Sequence, residues 1–172
     1  MITRLLICVF FLTGAMACKS GPEITEGQKG PGKKEMAALN RHLVQKDRER
    51  IESYIERRNL KMTESPSGLW YMIKTEGSGA YLSDNEKFVM EYKCNLLDGT
   101  SCYSSEDSGP REVILGRSEM EPGLNQGLRM LKRGGEALFI LPPFLAYGLK
   151  GDGNKIPSRS VLIYEIKILN GQ

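Results

Sequence analysis

The sequence has few of the residues that most often bind metals. Its 172 residues include four cysteines and a single histidine, His42, which lies in a polar, helix-forming stretch far from any cysteine. A zinc site needs several imidazole or thiolate ligands brought close together. We therefore expect His42 to be a solvated helix residue, and we predict that the protein holds no metal and uses no cofactor.

The sequence also lacks a strong excess of charge of either sign. It has 24 Lys and Arg residues against 21 Asp and Glu residues, so its formal net charge is +3. Nucleic-acid-binding proteins usually show a basic patch, often with aromatic residues for base stacking. The basic residues here are not clustered with aromatic ones. We predict no nucleic-acid partner.

A long apolar run is missing as well. The longest one, residues 5–12, is too short to span a bilayer comfortably. It follows a positively charged residue and precedes small residues, which is typical of an export signal. Residues 15–18 resemble a bacterial lipobox, although Met16 is bulky for its place. We predict a lipoprotein signal peptide at residues 1–17 and lipidation of Cys18; the alternative is an ordinary secretory signal that ends near a cysteine.

Lipidation would decide where the protein resides, because attached acyl chains anchor a protein that has no membrane-spanning helix. The residue after Cys18 is Lys19 rather than aspartate. By the sorting rules of bacterial lipoproteins, this favours the outer membrane over the inner membrane. We predict a lipid-anchored protein of the outer membrane of a Gram-negative envelope, on its periplasmic face or at the cell surface.

Two segments of different composition follow the cysteine. Residues 18–32 are rich in Gly and Pro and predict a flexible tether. Residues 33–61 contain neither and are dense in helix-forming residues, so they predict a helix. Its partial apolar stripe is interrupted by the six polar residues 45–50, whereas a coiled coil needs an unbroken seam. This favours a helix that docks on its own domain, or a mobile spacer, over a dimerising coil.

Residues 65–172 alternate in the way that an antiparallel sheet with one short helix requires, which predicts an α+β domain. Pro122 suits the first turn of the helix, because the N–H that proline lacks would have no partner there. Gly77-Ser78-Gly79 is expected to end the first strand, and Pro142-Pro143 to end a later one. The predicted strands are residues 69–74, 88–97, 113–115, a return strand through Cys102-Tyr103, 137–141 and 161–169, and the predicted helix is residues 121–131.

The hairpin at Asp98-Gly99 brings two cysteines near each other. If a three-residue turn holds Gly99 in the left-handed conformation, Cys94 faces Cys102 directly, at a separation close to that of a disulfide. A two-residue turn would instead place the thiols on opposite faces of the sheet. An oxidising compartment would favour the bond. A disulfide and two free thiols therefore both remain open.

Several of these motifs resemble those of the FKBP-type peptidyl-prolyl isomerases. The matching pieces are LGRSEMEPGLNQGLRMLKRGGEALFILPPFLAYG, the hairpin VMEYKCNLLDGTSCYSS before it, and IPSRSVLIYEIKIL after it. The resemblance covers about residues 68–169. It implies a strongly curved, half-open antiparallel sheet wrapped around one short helix, with residues 33–61 as a helical extension. Relatives in the envelope often dimerise through such helices, so a homodimer stays open.

The resemblance also implies a site for proline-containing polypeptides. Prolyl isomerisation needs no nucleophile, because its barrier comes from amide resonance. A pocket that binds the twisted amide better than either planar form lowers that barrier. By resemblance, the hydroxyl of Tyr147 and the backbone N–H of Glu121 would donate to substrate carbonyls, and Phe144 and Leu145 would shape the mouth. The pocket wall would consist of Tyr92, Met120, Leu124, Ile156 and Tyr164.

The sequence departs from the family pattern in four places. Cys102-Tyr103 stands where the family usually has Phe-Asp, and the aspartate is thought to face the twisting carbonyl. Tyr103 could offer a hydroxyl in its place, and it is similar to the residue found in isomerase-like lipoproteins of gliding bacteria. The other departures are Leu124 for a tryptophan, Glu121 for an aliphatic residue and Asp152 for a frequent histidine. They predict slow catalysis.

Three functions are consistent with these observations. The first is a lipid-anchored prolyl isomerase that acts on proline-containing proteins of the envelope. The second is a binding or chaperone module with little catalysis. The third is a structural lipoprotein that uses its helix for assembly. The pair Cys102-Tyr103 is the feature that separates the first from the second.

Overall fold

The computed structural model of the chain describes residues 32–170. The predicted signal peptide, the predicted lipidation site Cys18 and the tether up to residue 31 lie outside the described residues. Among the helices of residues 32–170, none is both long enough and apolar enough to cross a bilayer.

Residues 32–170 contain nine strands, three α-helices and one 3-10 turn, joined by loops. Antiparallel strands with a few helices packed on them are typical of an α+β domain. The elements are α1 (Lys33–Arg57), β1 (Thr63–Glu64), β2 (Trp70–Thr75), β3 (Ser78–Tyr81), β4 (Lys87–Leu96), β5 (Ser101–Ser104), α2 (Ser105–Ser108), β6 (Arg111–Ile114), α3 (Pro122–Leu128), β7 (Lys132–Arg133), β8 (Glu136–Leu141), the 3-10 turn Pro143–Leu145 and β9 (Leu162–Ile168).

Seven of the strands form one antiparallel sheet in the order β1-β2-β8-β9-β4-β5. The seventh strand of this sheet is β6, which pairs with the first part of β4. The last part of β4 pairs with β5 on the same edge. A single long strand thus serves two shorter partners on one edge. The predicted α+β fold, a curved antiparallel sheet with one short helix and an N-terminal helical extension, is confirmed.

The two faces of the sheet bury two different helices. On one face, Leu124 and Leu128 of α3 pack in the main core with Phe139 and are fully buried. On the other face, α1 packs on Ile140 and Ile163. Phe139 and Ile140 are neighbours in β8, and successive side chains of a strand point to opposite faces. The helices therefore lie on opposite sides of the sheet.

The helix α3 is shorter than predicted, since it ends at Leu128 rather than at residue 131. Beyond the cap residue Arg129, the N–H groups of Met130 and Leu131 donate to carbonyls three residues back, at 2.9 and 3.1 Å, so the chain tightens into turns. Lys132-Arg133, expected at the helix end, instead forms β7. This strand pairs with β3, which was not predicted because Gly77 and Gly79 flank Ser78 and indicate a strand end.

The first helix also ends early, at Arg57 instead of residue 61. Asn59 takes a left-handed φ of 50°, and the N–H of Leu60 donates to the carbonyl of Ile55 at 3.0 Å, as in a helix-terminating turn. The chain then enters β1, which pairs with β2. The domain thus begins two residues before the predicted boundary at residue 65.

The second half of α1 docks on the sheet, which is one of the arrangements that its interrupted apolar stripe favours. Ile51 and Tyr54 are buried against Leu138 and Val161. The first half does not share this contact, since Met36 and Leu39 are 42% and 47% exposed. The helix leaves the domain ahead of the polar interruption, because Asp47 within that interruption is still 4% exposed.

Replacing Ile51 by Ala tests this docking. Ile51 is 1% exposed, so we expect the loss of its side chain to lower the free energy of unfolding by about 2–4 kcal/mol. His42→Ala on the exposed half of the same helix is the control, with an expected change within about 0.5 kcal/mol. Urea unfolding followed by circular dichroism measures both. Equal, small changes would show that α1 does not pack on the domain.

Candidate functional site

The predicted site residues come from four separate parts of the fold. They lie on β4 and β5, at the start of α3, in the loop after β8, and on β9. Leu124, Ile156, Tyr164 and Cys102 are buried in the main core. Tyr92, Met120 and Tyr103 pack against the same cluster and are half-buried. The structure therefore gathers the side chains predicted for the pocket around one apolar cluster.

The apolar part of this cluster is closely packed. Leu124 is fully buried, and Ile156 and Tyr164 are 2% and 4% exposed. Tyr92 is placed differently, because it lines a cleft of about 520 Å³ together with charged residues of β4 and β9. Of the residues that line this cleft, Tyr92 is the one that was predicted for the pocket. Its side chain therefore contacts the apolar cluster on one side and this polar cleft on the other.

The two loop residues predicted to shape the mouth differ in their surroundings. Leu145 is half-buried against the main core and meets the helix at Gly123, where an added Cβ would lie 2.9 Å from the Leu145 Cβ. Phe144 is 48% exposed and contacts the turn at Gly68, where an added Cβ would lie 3.0 Å from its ring. Leu145 therefore supports the start of α3, and Phe144 covers the turn before β2.

Tyr147 lies at the edge of the cluster and is 39% exposed. Two hydrogen bonds fix the backbone on either side of Tyr147. The N–H groups of Ala146 and Gly148 both donate to the Pro143 carbonyl, at 3.1 and 2.8 Å. Burial raises the pKa of Tyr147, and the charge and hydrogen bonding of Glu121 raise it further. The hydroxyl therefore stays protonated at neutral pH and can act as a donor.

The carboxylate of Glu121 is the most unusual group in the site. Glu121 is 5% exposed, immediately before α3, and it accepts a hydrogen bond from the hydroxyl of Tyr164. Burial and the charge of Glu121 raise the pKa of Tyr164. Since Glu121 also interacts with the Tyr147 hydroxyl, these three residues form what we call the phenol–carboxylate cluster. A buried carboxylate requires such partners, because an uncompensated buried charge is strongly destabilising.

The sequence pointed to the backbone of Glu121 and missed its side chain. Within residues 32–170, no hydrogen bond uses the Glu121 N–H, so it remains able to donate to a ligand. The signal for the side-chain role was present in the sequence, as a Glu in a place that is aliphatic in the resembled family. What could not be read was that two tyrosine hydroxyls, on a distant loop and on β9, would converge on it.

Tyr103 and Asp152 form a second polar pair. The Tyr103 hydroxyl donates to one oxygen of Asp152, and the other oxygen accepts from the N–H groups of Asn154 and Ile156, at 2.9 and 2.8 Å. Burial raises the pKa of Asp152, but the hydrogen bonds from Tyr103 and these N–H groups outweigh it and lower the pKa. Two departures that were treated as separate are thus partners, and together they tie β5 to the loop that holds Ile156.

This pairing bears on the role expected for Tyr103. Its hydroxyl is engaged by Asp152, and the side-chain amide of Asn154 donates to it at 3.3 Å. The ammonium of Lys155 lies 5.3 Å from the centre of its ring. The surroundings of Tyr103 therefore favour a role in holding the loop in place over a direct hydrogen bond to substrate.

The expected alignment of the two cysteines does not occur. The turn is as expected for a three-residue loop, because the Leu96 N–H donates to the Thr100 carbonyl at 2.9 Å and Gly99 has a φ of 92°. The register then shifts, so that Cys94 pairs with Tyr103. Cys102 is the extra residue of a β-bulge, so it is not the direct cross-strand partner of Cys94, although both are buried in the main core. In this structure Cys94 and Cys102 are free buried thiols. The disulfide and the two free thiols both stay predictions.

The environment of these thiols predicts low reactivity. Burial raises the pKa of Cys94 from 9.0 to about 12 and also raises the pKa of Cys102. The thiolate is the reactive form, so three pH units reduce the reactive fraction of Cys94 at pH 8 by about 1,000-fold. Burial of the sulfur slows attack further.

Alkylation with iodoacetamide at pH 8, followed by peptide mapping, tests this arrangement. In the native protein we expect Cys94 to remain unmodified for hours. In denaturant without reductant we expect both Cys94 and Cys102 to be modified rapidly, because unfolding exposes them and returns their pKa to the ordinary range. Modification that appears only after a reductant is added would instead establish the disulfide.

Comparison with protein families supports the resemblance found in the sequence. A family model described as "FKBP-type peptidyl-prolyl cis-trans isomerase" matches residues 79–169. This range contains every side chain of the site described above. It excludes α1 and the first two strands.

Curated proteins similar to this chain carry corresponding names. The "Probable FKBP-type peptidyl-prolyl cis-trans isomerase FkpA" of Neisseria meningitidis serogroup B is 33% identical over 125 residues, which cover 72% of this chain and 46% of that protein. The FkpA of Escherichia coli K12 is 32% identical over 126 residues, which cover 73% and 45%. The chain therefore spans about half the length of the curated relatives it matches.

Solved structures extend the comparison to the fold. The crystal structure of FkpA from Escherichia coli aligns with a TM-score of 0.65 and 28% identity, over 79% of this chain and 63% of that one. The crystal structure of AtFKBP13 aligns with a TM-score of 0.60 and 29% identity, over 65% of this chain and 99% of that one. The shared part includes the sheet and the short helix.

Proposed function

The chain belongs to the FKBP-type peptidyl-prolyl cis-trans isomerase family, and on this basis we propose that it catalyses cis-trans isomerisation of Xaa-Pro bonds in polypeptide substrates. The observation that carries the proposal is the position of Tyr147. The residue is 39% exposed, directly follows Leu145 and Ala146, which pack against the buried apolar cluster, and lies near Glu121 at the start of α3. A donor beside apolar walls is what binding of a proline ring and its carbonyl requires.

The chemistry asks little of the protein beyond shape and hydrogen bonds. The barrier of about 18–20 kcal/mol comes from amide resonance, which is lost when the bond twists. The partly buried side chains of Met120 and Tyr103, which pack against the cluster of Leu124 and Ile156, offer an apolar surface that favours a dehydrated proline ring. The Tyr147 hydroxyl and the Glu121 N–H donate to carbonyl oxygens near the twisting bond. Contacts that are stronger in the twisted state than in either planar state accelerate the reaction.

The phenol–carboxylate cluster predicts a modest rate. In the free protein, the Tyr147 hydroxyl interacts with the Glu121 carboxylate, which is a stronger acceptor than an amide carbonyl. A substrate carbonyl near Tyr147 must therefore compete with the nearby Glu121 carboxylate as the acceptor. If substrate cannot displace Glu121 from Tyr147, the alternative function follows, which is a binding or chaperone module with little catalysis.

Tyr147→Phe tests the proposed catalytic role. Removal of one hydroxyl leaves the ring in place, so we expect kcat/KM to fall about 3- to 10-fold, which corresponds to the net contribution of a single hydrogen bond. A protease-coupled assay with short Xaa-Pro peptides measures the rate. Tyr81→Phe, on an exposed strand outside the site, is the control and is expected to retain the wild-type rate.

Two outcomes would count against the proposal in different ways. A wild-type rate equal to the uncatalysed rate at high protein concentration would favour the binding-module alternative. A catalysed rate that Tyr147→Phe leaves unchanged would keep the isomerase activity but remove Tyr147 from the mechanism.

We also propose that lipid at Cys18 anchors the protein to the outer membrane and that its clients are proline-containing envelope proteins. Support comes from the export-signal pattern and the lipobox-like residues 15–18. Cys18→Ser is expected to abolish incorporation of labelled palmitate and to move the protein from the membrane fraction to the soluble periplasmic fraction. Wild-type protein that takes up no label and is already soluble would rule out the anchor.

A homodimer through the N-terminal helix is a further part of this proposal. Met36, Leu39 and Val44 are large apolar side chains on the part of α1 that extends beyond the domain, and each is more than 40% exposed. Exposed apolar side chains at nearly helical spacing support a helix–helix contact. Sedimentation equilibrium distinguishes a monomer from a dimer, and Leu39→Glu should dissociate a dimer of this kind.

A further inference from the structure

The loop between Tyr147 and β9 is closed at its base by Arg159. The Arg159 N–H donates to the carbonyl of Gly148 at 2.9 Å, and Gly148 directly follows Tyr147. Arg159 has a φ of 55°, in the left-handed region that residues with a Cβ seldom occupy. A residue keeps such a conformation only when its surroundings hold it there. The contacts of Arg159 therefore help to determine where the Tyr147 end of the loop sits.

The side chain of Arg159 provides that hold by reaching across to α1. Its Nη2 atom lies 2.8 Å from Oδ2 of Asp47 and 3.4 Å from the carbonyl oxygen of Leu43. Asp47 is 4% exposed, while its sequence neighbours on α1 are exposed. Its other oxygen lies 3.7 Å from Nη1 of Arg50. The carboxylate of Asp47 is buried while the Arg159 side chain is 31% exposed, so the pair fixes Arg159 against α1, and Arg50 still lies near Asp47 when Arg159 is removed.

The loop between these contacts is folded tightly enough to transmit the constraint. The Asp152 N–H donates to the Ile156 carbonyl at 3.1 Å, and Asp152 accepts from the Ile156 N–H at 2.8 Å. At Gly151 an added Cβ would lie 2.2 Å from the Ile156 carbonyl oxygen, so no other residue fits there without rearrangement. Tyr147 and Ile156 are thus held by one compact loop that is bound to α1 at its end.

We propose that Asp47 and Arg159 are positioning residues for the site, and that the N-terminal helix holds the loop of residues 148–160 in its binding-competent position through this ion pair. The inference rests on the proposed isomerase function for its catalytic consequence. Neither residue belongs to the cluster that faces substrate. When the pair is broken, the loop samples other positions, and the apparent affinity for substrate falls in proportion to the competent fraction.

Asp47→Asn is the direct test, with Glu64→Gln as a matched control. Glu64 on β1 forms an ion pair with Arg48 of α1, in which Oε2 of Glu64 lies 2.6 Å from Nη2 of Arg48. The control therefore weakens the contact between α1 and the sheet without touching the loop. For Asp47→Asn we expect KM for an Xaa-Pro peptide to rise about 3- to 10-fold while kcat changes less than about twofold. Amide hydrogen exchange in residues 148–160 should become faster. For Glu64→Gln we expect neither change.

Arg159→Gly is a second variant that keeps the test decisive if Asp47→Asn folds poorly. Glycine adopts a φ of 55° without strain, so this change removes the guanidinium while it stabilises the left-handed backbone conformation at position 159. We expect it to reproduce the higher KM and the faster loop exchange without a large loss of thermal stability. Asp47→Glu, which keeps the charge, should recover part of the wild-type KM.

The outcomes separate the inference from the proposed function. If Asp47→Asn and Arg159→Gly leave both KM and loop exchange at the wild-type values, or match Glu64→Gln, the positioning role is overturned. Hydrogen exchange is measured without substrate, so it decides the coupling between helix and loop by itself. A wild-type protein without isomerase activity would overturn the proposed function, and faster loop exchange in the variants would still establish the coupling.

Discussion

The close approach of α3 to the sheet is the constraint on which the rest of the domain depends. At Gly127 an added Cβ would lie 2.9 Å from the ring of Phe139, and at Gly123 it would lie 2.8 Å from the Leu141 side chain. Both distances are shorter than real contacts allow, so only glycine permits this packing. The approach buries Leu124 and sets the start of the helix against β9. Without it, Glu121 could not reach the hydroxyl of Tyr164.

The site that results is more polar and more internally bonded than its apolar walls alone suggest. One carboxylate, that of Glu121, holds the phenol of Tyr164 and interacts with that of Tyr147, and another, that of Asp152, holds Tyr103. These bonds preorganise the loop and the start of α3, which favours binding. They also engage hydroxyls that a substrate would otherwise use. The same contacts therefore order the site and limit the strength of its donors.

Regular, strongly patterned segments were predictable, and irregular ones were not. The alternation in β4, the continuous apolar run of β8 and the Pro122 start of α3 could be read from the sequence, because each reflects local backbone preferences and burial. The pairing of β3 with β7 could not, since two glycines flank Ser78 and the strands are stable only as a pair. The bulge at Cys102 was equally hidden, because one extra residue leaves no periodic trace.

By itself, the amino-acid sequence determined the α+β class, the family resemblance and the identity of the residues gathered at the site. These properties follow from local periodicity, turn residues and the spacing of motifs along the chain. Only the tertiary structure decided which polar groups meet. Tyr103 and Asp152 are 49 positions apart, and Asp47 and Arg159 are 112 apart. A hydrogen bond forms only within a narrow distance and angle, and that geometry is set by how the strands, helices and loops pack together.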